Sequence, residues 1–337
     1  MAHLLEVKDL RTVFSGDMGE TVSVDNVSFT VDSGEIVCLV GESGCGKSVT
    51  SLSLMGLLGK GGRVAGGQAL FEGRDLLKLK EEELDQIRGD RISMVFQDPL
   101  TSLNPVFTIG RQITESIRIH MGLDRKAACE RAISLLEKVG MPDPEAVMKK
   151  YPHLLSGGQR QRVMIAIALA CNPRLLIADE PTTALDVTIQ AQIMRLIRQL
   201  QKEFHMAVIL ITHDIGLVAQ MADRVLVMYA GQMIESAPVL ELFDHPAHPY
   251  TQALLRSVPP VPGIGDLTGK GREMVSAANL PGRLESIRGT VPEHYDRIKG
   301  CRFADRCPYR EEACEKPQAE TFTGPGHMVR CWKKEAL

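Results

Sequence analysis

The sequence predicts an α/β protein: a P-loop nucleotide-binding domain over residues 1–258, followed by a small cysteine-rich accessory domain over residues 259–337. Three observations carry that expectation. A glycine loop, Gly41-Glu42-Ser43-Gly44-Cys45-Gly46-Lys47-Ser48, stands between an apolar β-rich run and a helical pattern. A second apolar run, Arg174-Leu-Leu-Ile-Ala178, ends in the adjacent carboxylates Asp179 and Glu180. After Val258 the chain turns to proline and glycine, and four of its eight cysteines fall at or beyond Cys301.

The length, 337 residues, suits one large domain and an appendage, because single cores stop growing at roughly 250–300 residues. A net charge of −3 offers no broad basic face for neutralising nucleic-acid phosphates, so nucleic acid is not an expected partner. The opening MAHLLEVKDL lacks a basic stretch followed by an apolar one. The longest apolar stretch, Val163 to Ala170, is far short of the ~20 residues that span a bilayer, so a cytosolic chain is expected. In that compartment thiols stay reduced, and the cysteines suggest burial or metal binding, not a disulfide framework. Cys38, Cys45, Cys129 and Cys171 are isolated, and burial accounts for them.

Strand, glycine loop and helix follow one another as a phosphate site requires. The spacing G-x-x-x-x-G-K-S lets backbone N–H groups wrap a polyphosphate, with Lys47 on the β- and γ-phosphates and Ser48 on Mg²⁺. Residues Gly41 to Val49 are therefore the predicted nucleotide cradle. Asp179 and Glu180 emerge at the C-terminal end of a buried strand, where ligands of open α/β sheets sit. Asp179 would orient the Mg²⁺ shell and Glu180 would polarise an attacking water. A third apolar run, Ala207 to Thr212, leads to His213, whose imidazole is placed to reach the γ-phosphate.

Between the two nucleotide strands lies Leu155-Ser156-Gly157-Gly158-Gln159, running into a helical pattern and forming a second anion site. With this stretch the sequence resembles the ATP-binding subunits of ABC transporters. GESGCGKS reads as Walker A, LSGGQ as the signature, LLIADE as Walker B, Thr183 to Asp186 as the D-loop, Gln97 as the Q-loop and His213 as the H-loop. The resemblance implies a RecA-like core, an antiparallel β subdomain and a helical subdomain at about 98–172. It also implies that two nucleotide domains pair head to tail, so that Ser156, Gly157, Gly158, Gln159 and Asp186 serve the partner's ATP. Phe14 would stack on adenine, and Gln97 would join Ser48 at Mg²⁺ and take part in catalysis with Glu180 and His213. Helical periodicity from Lys126 to Val139 puts Ala128, Ala132, Leu135, Leu136 and Val139 on one face, stopped by Gly140-Met-Pro-Asp-Pro144.

The stretches His245 to Leu255 and Val95 to Pro105 look like those of oligopeptide and dipeptide importer ATPases. The implied activity is ATP hydrolysis coupled to peptide import at the cytoplasmic face of the membrane. The implied partners are a second, related ATPase, two transmembrane permeases and an extracytoplasmic peptide-binding protein. Nickel, glutathione and sugar-peptide importers share much of the pattern. A DNA- or ribosome-acting relative would need a coiled coil or a second Walker A, and a regulatory module without turnover would lack Glu180 or His213.

From Pro259 to Gly271 the chain reads as a linker. The remaining residues are too few and too polar for much of a core and would profit from a staple. Cys301, Cys307, Cys314 and Cys331 are separated by five, six and sixteen residues. Four thiolates can close a tetrahedral zinc site or hold a [4Fe–4S] cluster. The absence of short C-x₂₋₄-C knuckles favours the cluster, with Zn²⁺ as the alternative and four reduced thiols as the plain one. Cys307-Pro308 is similar to the pairing near ferredoxin clusters, and some importer ATPases of the resembling group carry a cluster in such a tail. His294 and His327 could serve a zinc ion as ligands, but are expected to be exposed polar residues.

Overall fold

The computed structural model describes residues 3–16, 19–183, 185–257 and 287–333. Two sheets organise them. Strands β1 (Leu5–Gly16), β2 (Gly19–Val31), β4 (Gly62–Phe71) and β5 (Arg74–Asp75) form an antiparallel sheet in the order β2-β1-β4-β5. Their inward residues, among them Leu5, Val7, Leu10, Val24 and Val31, are buried.

The second sheet carries the site. At its centre β3 (Ile36–Val40), β7 (Leu175–Asp179) and β8 (Ala207–Ile211) are five-residue runs buried at every position. Runs apolar on both faces are what a parallel sheet covered by helices demands. With β6 (Ile92–Val95) and β9 (Arg224–Tyr229) they pair in parallel in the order β9-β3-β8-β7-β6. Helix α1 (Lys47–Met55) follows the glycine loop, and α8 (Val187–Phe204) and α9 (Ile215–Met221) join later strands. Because β8 lies between β3 and β7, the chain leaving those three strands delivers the glycine loop, the two carboxylates and His213 to one sheet edge.

After the short α2 (Glu81–Asp85) and β6, the segment from α3 (Pro99–Ser102) to α7 (Gly157–Ala168) is helical. In it α4 (Ile109–Met121) packs Ile109, Ile113 and Ile117 in one core with Ala128, Ala132, Leu135 and Leu136 of α5 (Arg125–Lys138). The face read from periodicity is the buried one. Pro144 stops no helix by itself; it opens α6 (Pro144–Lys149), capped by Asp143, the first-turn role that proline tolerates well.

The tail departs from expectation. Strand β10 (Gln232–Pro238) is followed by α10 (Val239–Asp244) and α11 (Pro249–Arg256), and the short β11 (Thr321–Gly324) and β12 (His327–Val329) then complete the large sheet. β12 pairs antiparallel with β10 through Glu235↔Val329 and Ser236↔Met328. The expected separate accessory domain is therefore not what the described residues form. Having few apolar side chains, the tail buries Phe303 and Met328 in the two main cores rather than in one of its own. The linker, the boundary at 258/259 and the segment through 286 lie outside the described residues.

Candidate functional site

Glycine is required in the loop by contact as much as by conformation. A Cβ on Gly41 would stand 2.2 Å from the Met228 carbonyl oxygen, and one on Gly46, at φ +101°, would stand 2.7 Å from the Ser23 carbonyl oxygen in β2. The loop is thus wedged between β9 and the antiparallel sheet, with no room for side chains at those points. Lys47 is buried and donates to the carbonyls of Gly41 at 2.8 Å and Glu42 at 3.0 Å. Cys45 is buried, and burial raises its thiol pKa.

Ser48 and Asp179, both read as serving Mg²⁺, lie side by side. Ser48 Oγ donates to Asp179 Oδ1 at 3.0 Å, from the first turn of α1 to the end of β7. Burial pushes the Asp179 carboxyl above the usual range, against the pull of that hydrogen bond. A carboxylate and a hydroxyl so placed are oxygen donors suited to the Mg²⁺ of a bound nucleotide.

Glu180 is the meeting point of the remaining groups. Its Oε2 accepts from Gln97 Nε2 at 3.2 Å and Thr183 Oγ1 at 2.9 Å, and lies 3.5 Å from His213 Nδ1. Its φ of +44° is left-handed, which is costly for a residue with a Cβ, and its N–H is held by the Ile211 carbonyl at 2.9 Å. The three residues read as catalytic are therefore brought together, with Thr183 as an added partner.

Ser156 caps α7, its side chain and that of Gln159 forming a reciprocal capping box. Ser156, Gly157 and Asp186 are exposed, and Asp186 caps α8. A Cβ on Gly157 would meet Leu185 at 3.4 Å, and one on Gly158 would meet Ile189 at 3.0 Å. Signature and D-loop thus lie side by side at one surface. Phe14 is half-buried in β1 with its ring against Gly62.

The cysteines of the tail also converge. Cys301, Cys307, Cys314 and Cys331 line one cavity with His248, Tyr309, Trp332 and Lys333. Trp332 Nε1 donates to Cys314 Sγ at 3.2 Å, and Cys301 N–H donates to the Cys314 carbonyl at 2.8 Å. Burial raises the Cys301 thiol to about 11 and also raises Cys307 and Cys331. Among the described residues no group of three or more His, Cys, Asp or Glu is arranged to hold a metal ion. His248 is buried, accepts from Tyr250 N–H on Nδ1 at 3.0 Å, and leaves Nε2 without a protein partner.

Two further clusters were not foreseen. His327, expected to be exposed, is buried with Nε2 2.8 Å from Glu235, whose carboxylate also accepts the N–H groups of Ala247 and His248. Its position in a β-strand beside a buried carboxylate, fixed by pairing across 92 residues, is invisible to local pattern. The second is an aromatic triad, Tyr229, Tyr250 and Phe303, with centroids 4.7–5.4 Å apart, joining β9, α11 and the tail. His294 is exposed, as expected.

With this geometry in hand, comparison with known proteins is specific. A family model described as ABC transporter matches residues 24–183, and one described as the oligopeptide/dipeptide transporter C-terminal region matches residues 234–314. A probable peptide ABC transporter ATP-binding protein of Sinorhizobium fredii is 50% identical over 99% of this chain and 96% of its own length. The oligopeptide transport ATP-binding protein AppD of Bacillus subtilis is 49% identical over 99% and 98%, and the dipeptide transport protein DppD of Haemophilus influenzae 48% over 97% and 94%. Among solved structures, a dimeric ATP-binding cassette in a post-hydrolysis state with ADP and Pi is similar at a TM-score of 0.63 and 27% identity, covering 70% of this chain and 98% of that one.

Proposed function

Because the chain belongs to the ATP-binding subunits of ABC transporters, in the oligopeptide and dipeptide group, we propose that it hydrolyses ATP to drive import of di- and oligopeptides. The observation that carries this reading is identity near one half over almost the whole chain, cassette and tail together. Membrane permeases, and an extracytoplasmic binding protein that captures the peptide, are the partners this role requires. Among the described residues no helix is long and apolar enough to cross a membrane, which fits a subunit acting from the cytoplasmic face.

In this mechanism the N–H groups of Gly41 to Val49 wrap the phosphates and Lys47 neutralises them. Ser48 and Gln97 would hold Mg²⁺, with Asp179 orienting its shell, and the ion would offset the charge on the phosphates as the γ-phosphoryl group passes to water and ADP leaves. Glu180 accepts the proton of the attacking water, and His213, 3.5 Å away, contacts the γ-phosphate. Phe14 stacks on adenine. Ser156, Gly157, Gly158, Gln159 and Asp186, of which Ser156, Gly157 and Asp186 are exposed, complete the site of a second, related ATPase, whose signature completes this one.

The tail from 259 onwards is read as a metal-stapled accessory segment. Four sulfur donors around one cavity are the donor set that a [4Fe–4S] cluster takes, with Zn²⁺ as the alternative, although among the described residues no group of three or more is arranged around one ion. Buried thiols resist ionisation, so cationic iron would supply the charge that their thiolate forms need. The unpartnered N–H of His248, in the wall of the same cavity, would serve a sulfur acceptor. The group's contribution is structural: it ties four tail positions together.

The test is uptake. In cells lacking this chain, labelled di- and oligopeptides should enter only when the wild type is restored, and not with Lys47→Ala. Restoration of nickel or glutathione uptake, without peptide uptake, would move the assignment to those importers.

A further inference from the structure

Glu42, the second residue of the glycine loop, is held from three directions. Its carbonyl accepts from Lys47, its N–H donates to Tyr250 Oη at 2.9 Å, and its carboxylate is clasped by Arg306 at 2.6 and 3.0 Å. Lys47 belongs to the loop; Tyr250 and Arg306 do not. Arg306 lies 264 residues away, one position before Cys307, and its side chain is 6% exposed. Its other N–H groups donate to Tyr229 Oη at 3.2 Å and to the carbonyls of Arg288 at 2.7 Å and Gly289 at 3.3 Å. The five donors of the guanidinium are thereby all used, and the group also lies 5.7 Å from the Tyr229 ring centroid and 5.8 Å from that of Phe303. The Glu42 hydrogen bonds and the neighbouring Tyr229 hold it firmly protonated.

A carboxylate is an awkward residue in a loop that must wrap an anion. The N–H groups of a phosphate loop would face phosphate oxygens, and an uncompensated negative charge there would repel the ligand. The tail supplies the compensation. We propose that Arg306 is a positioning residue of the ATP site: it neutralises Glu42 and, with Tyr250, fixes the loop in its phosphate-binding form. The tail is then part of the nucleotide site rather than a remote appendage. This rests on reading Gly41 to Ser48 as the ATP cradle. Placing Arg306 next to Cys307 also makes the cysteine cavity the anchor of that contact.

The experiment measures the affinity of the purified full chain for a fluorescent, ribose-labelled ATP with Mg²⁺, for the wild type, Arg306→Ala, Glu42→Gln and the double variant. Arg306→Ala is expected to weaken binding roughly tenfold, equivalent to about 1.4 kcal/mol. Adding Glu42→Gln to Arg306→Ala should recover most of the loss, with Glu42→Gln alone as the reference for the double variant. A contact that served folding alone would lower the melting temperature without that recovery. Unchanged affinity in Arg306→Ala, or a loss that Glu42→Gln fails to relieve, would overturn the proposal. If Arg306→Ala does not fold, Arg306→Lys and Arg306→Met take its place: the lysine keeps the charge and should bind more tightly than the methionine, and equal affinity of the two would contradict charge compensation. Failure of the wild type to bind labelled ATP would instead overturn the reading of the cradle.

Discussion

Glu180 Oε2 lies 3.5 Å from His213 Nδ1, bringing the chain leaving β7 to the chain leaving β8. The same oxygen accepts from Gln97 and Thr183. One carboxylate oxygen thus gathers three partners, bringing together groups from different strand ends: a carboxylate, an imidazole and an amide. The left-handed backbone at Glu180 aims the side chain at this point, which is the kind of local strain that functional sites retain.

Asp179 should be more useful than it is stabilising. Burial raises its pKa, so its ionised form is disfavoured in the folded chain, and stability at neutral pH is below what a neutral side chain would give. Asp179→Asn keeps an acceptor for Ser48 and is expected to raise the melting temperature of the nucleotide-free chain by roughly 2–4 °C, the shift that about 1 kcal/mol produces in a domain of this size. The same variant should lose the Mg²⁺ dependence of ATP binding. A lower melting temperature would contradict the assignment of burial as the dominant effect.

Ser156 does two things that can be separated. As the cap of α7 it holds the Gln159 N–H, and Ser156→Ala should cost about 1 kcal/mol in urea unfolding. If, as proposed, it acts as a signature residue on the partner's nucleotide, ATP binding by the isolated chain should be unchanged while hydrolysis by the assembled transporter falls. Weakened ATP binding by the isolated chain would place Ser156 at its own site.

His327 makes a pH-dependent contribution. Its hydrogen bond to Glu235, with Glu241 also near, raises its pKa in the fold. A raised folded value means that the stabilisation is complete below the unfolded pKa near 6.5 and is lost as pH rises through the folded one. Urea midpoints from pH 6 to pH 9 should therefore fall more steeply for the wild type than for His327→Gln. At pH 6 the variant should be weaker by about 3 kcal/mol, as when a buried ion pair loses one member. His248, which burial draws down to about 4, titrates in both proteins and cancels in the comparison. Parallel slopes would remove His327 from the explanation.

The cysteine cavity makes a colour prediction. Chain purified without oxygen should carry about four irons with matching sulfide and a broad visible absorption, all lost in Cys307→Ala. Stoichiometric zinc in a colourless protein would replace the cluster with a single ion. Metal-free protein with an unchanged melting temperature on Cys307→Ala would overturn the staple altogether.

Much of the nucleotide site was legible because each part is local. The loop spacing, the buried runs ending in Asp179-Glu180 and His213, and the Ser156 cap are each written within a few consecutive residues. The helical face of α5 follows from periodicity for the same reason. What sequence could not give is long-range pairing. Arg306 and Glu42, His327 and Glu235, and the addition of β12 to β10 join positions that no window contains. A tail poor in apolar residues reads as a separate small domain, whereas it completes a sheet whose edge strand has backbone groups to satisfy.

The central claim is that Glu180 drives hydrolysis at this chain's own ATP site. The most direct measurement is phosphate release by the assembled transporter, with the partner ATPase's catalytic carboxylate removed in every sample, comparing the wild type with Glu180→Gln. Loss of hydrolysis by roughly 10²–10⁴-fold with ATP binding retained is the expected result, the range for removing a general base. Hydrolysis undiminished in Glu180→Gln would contradict it.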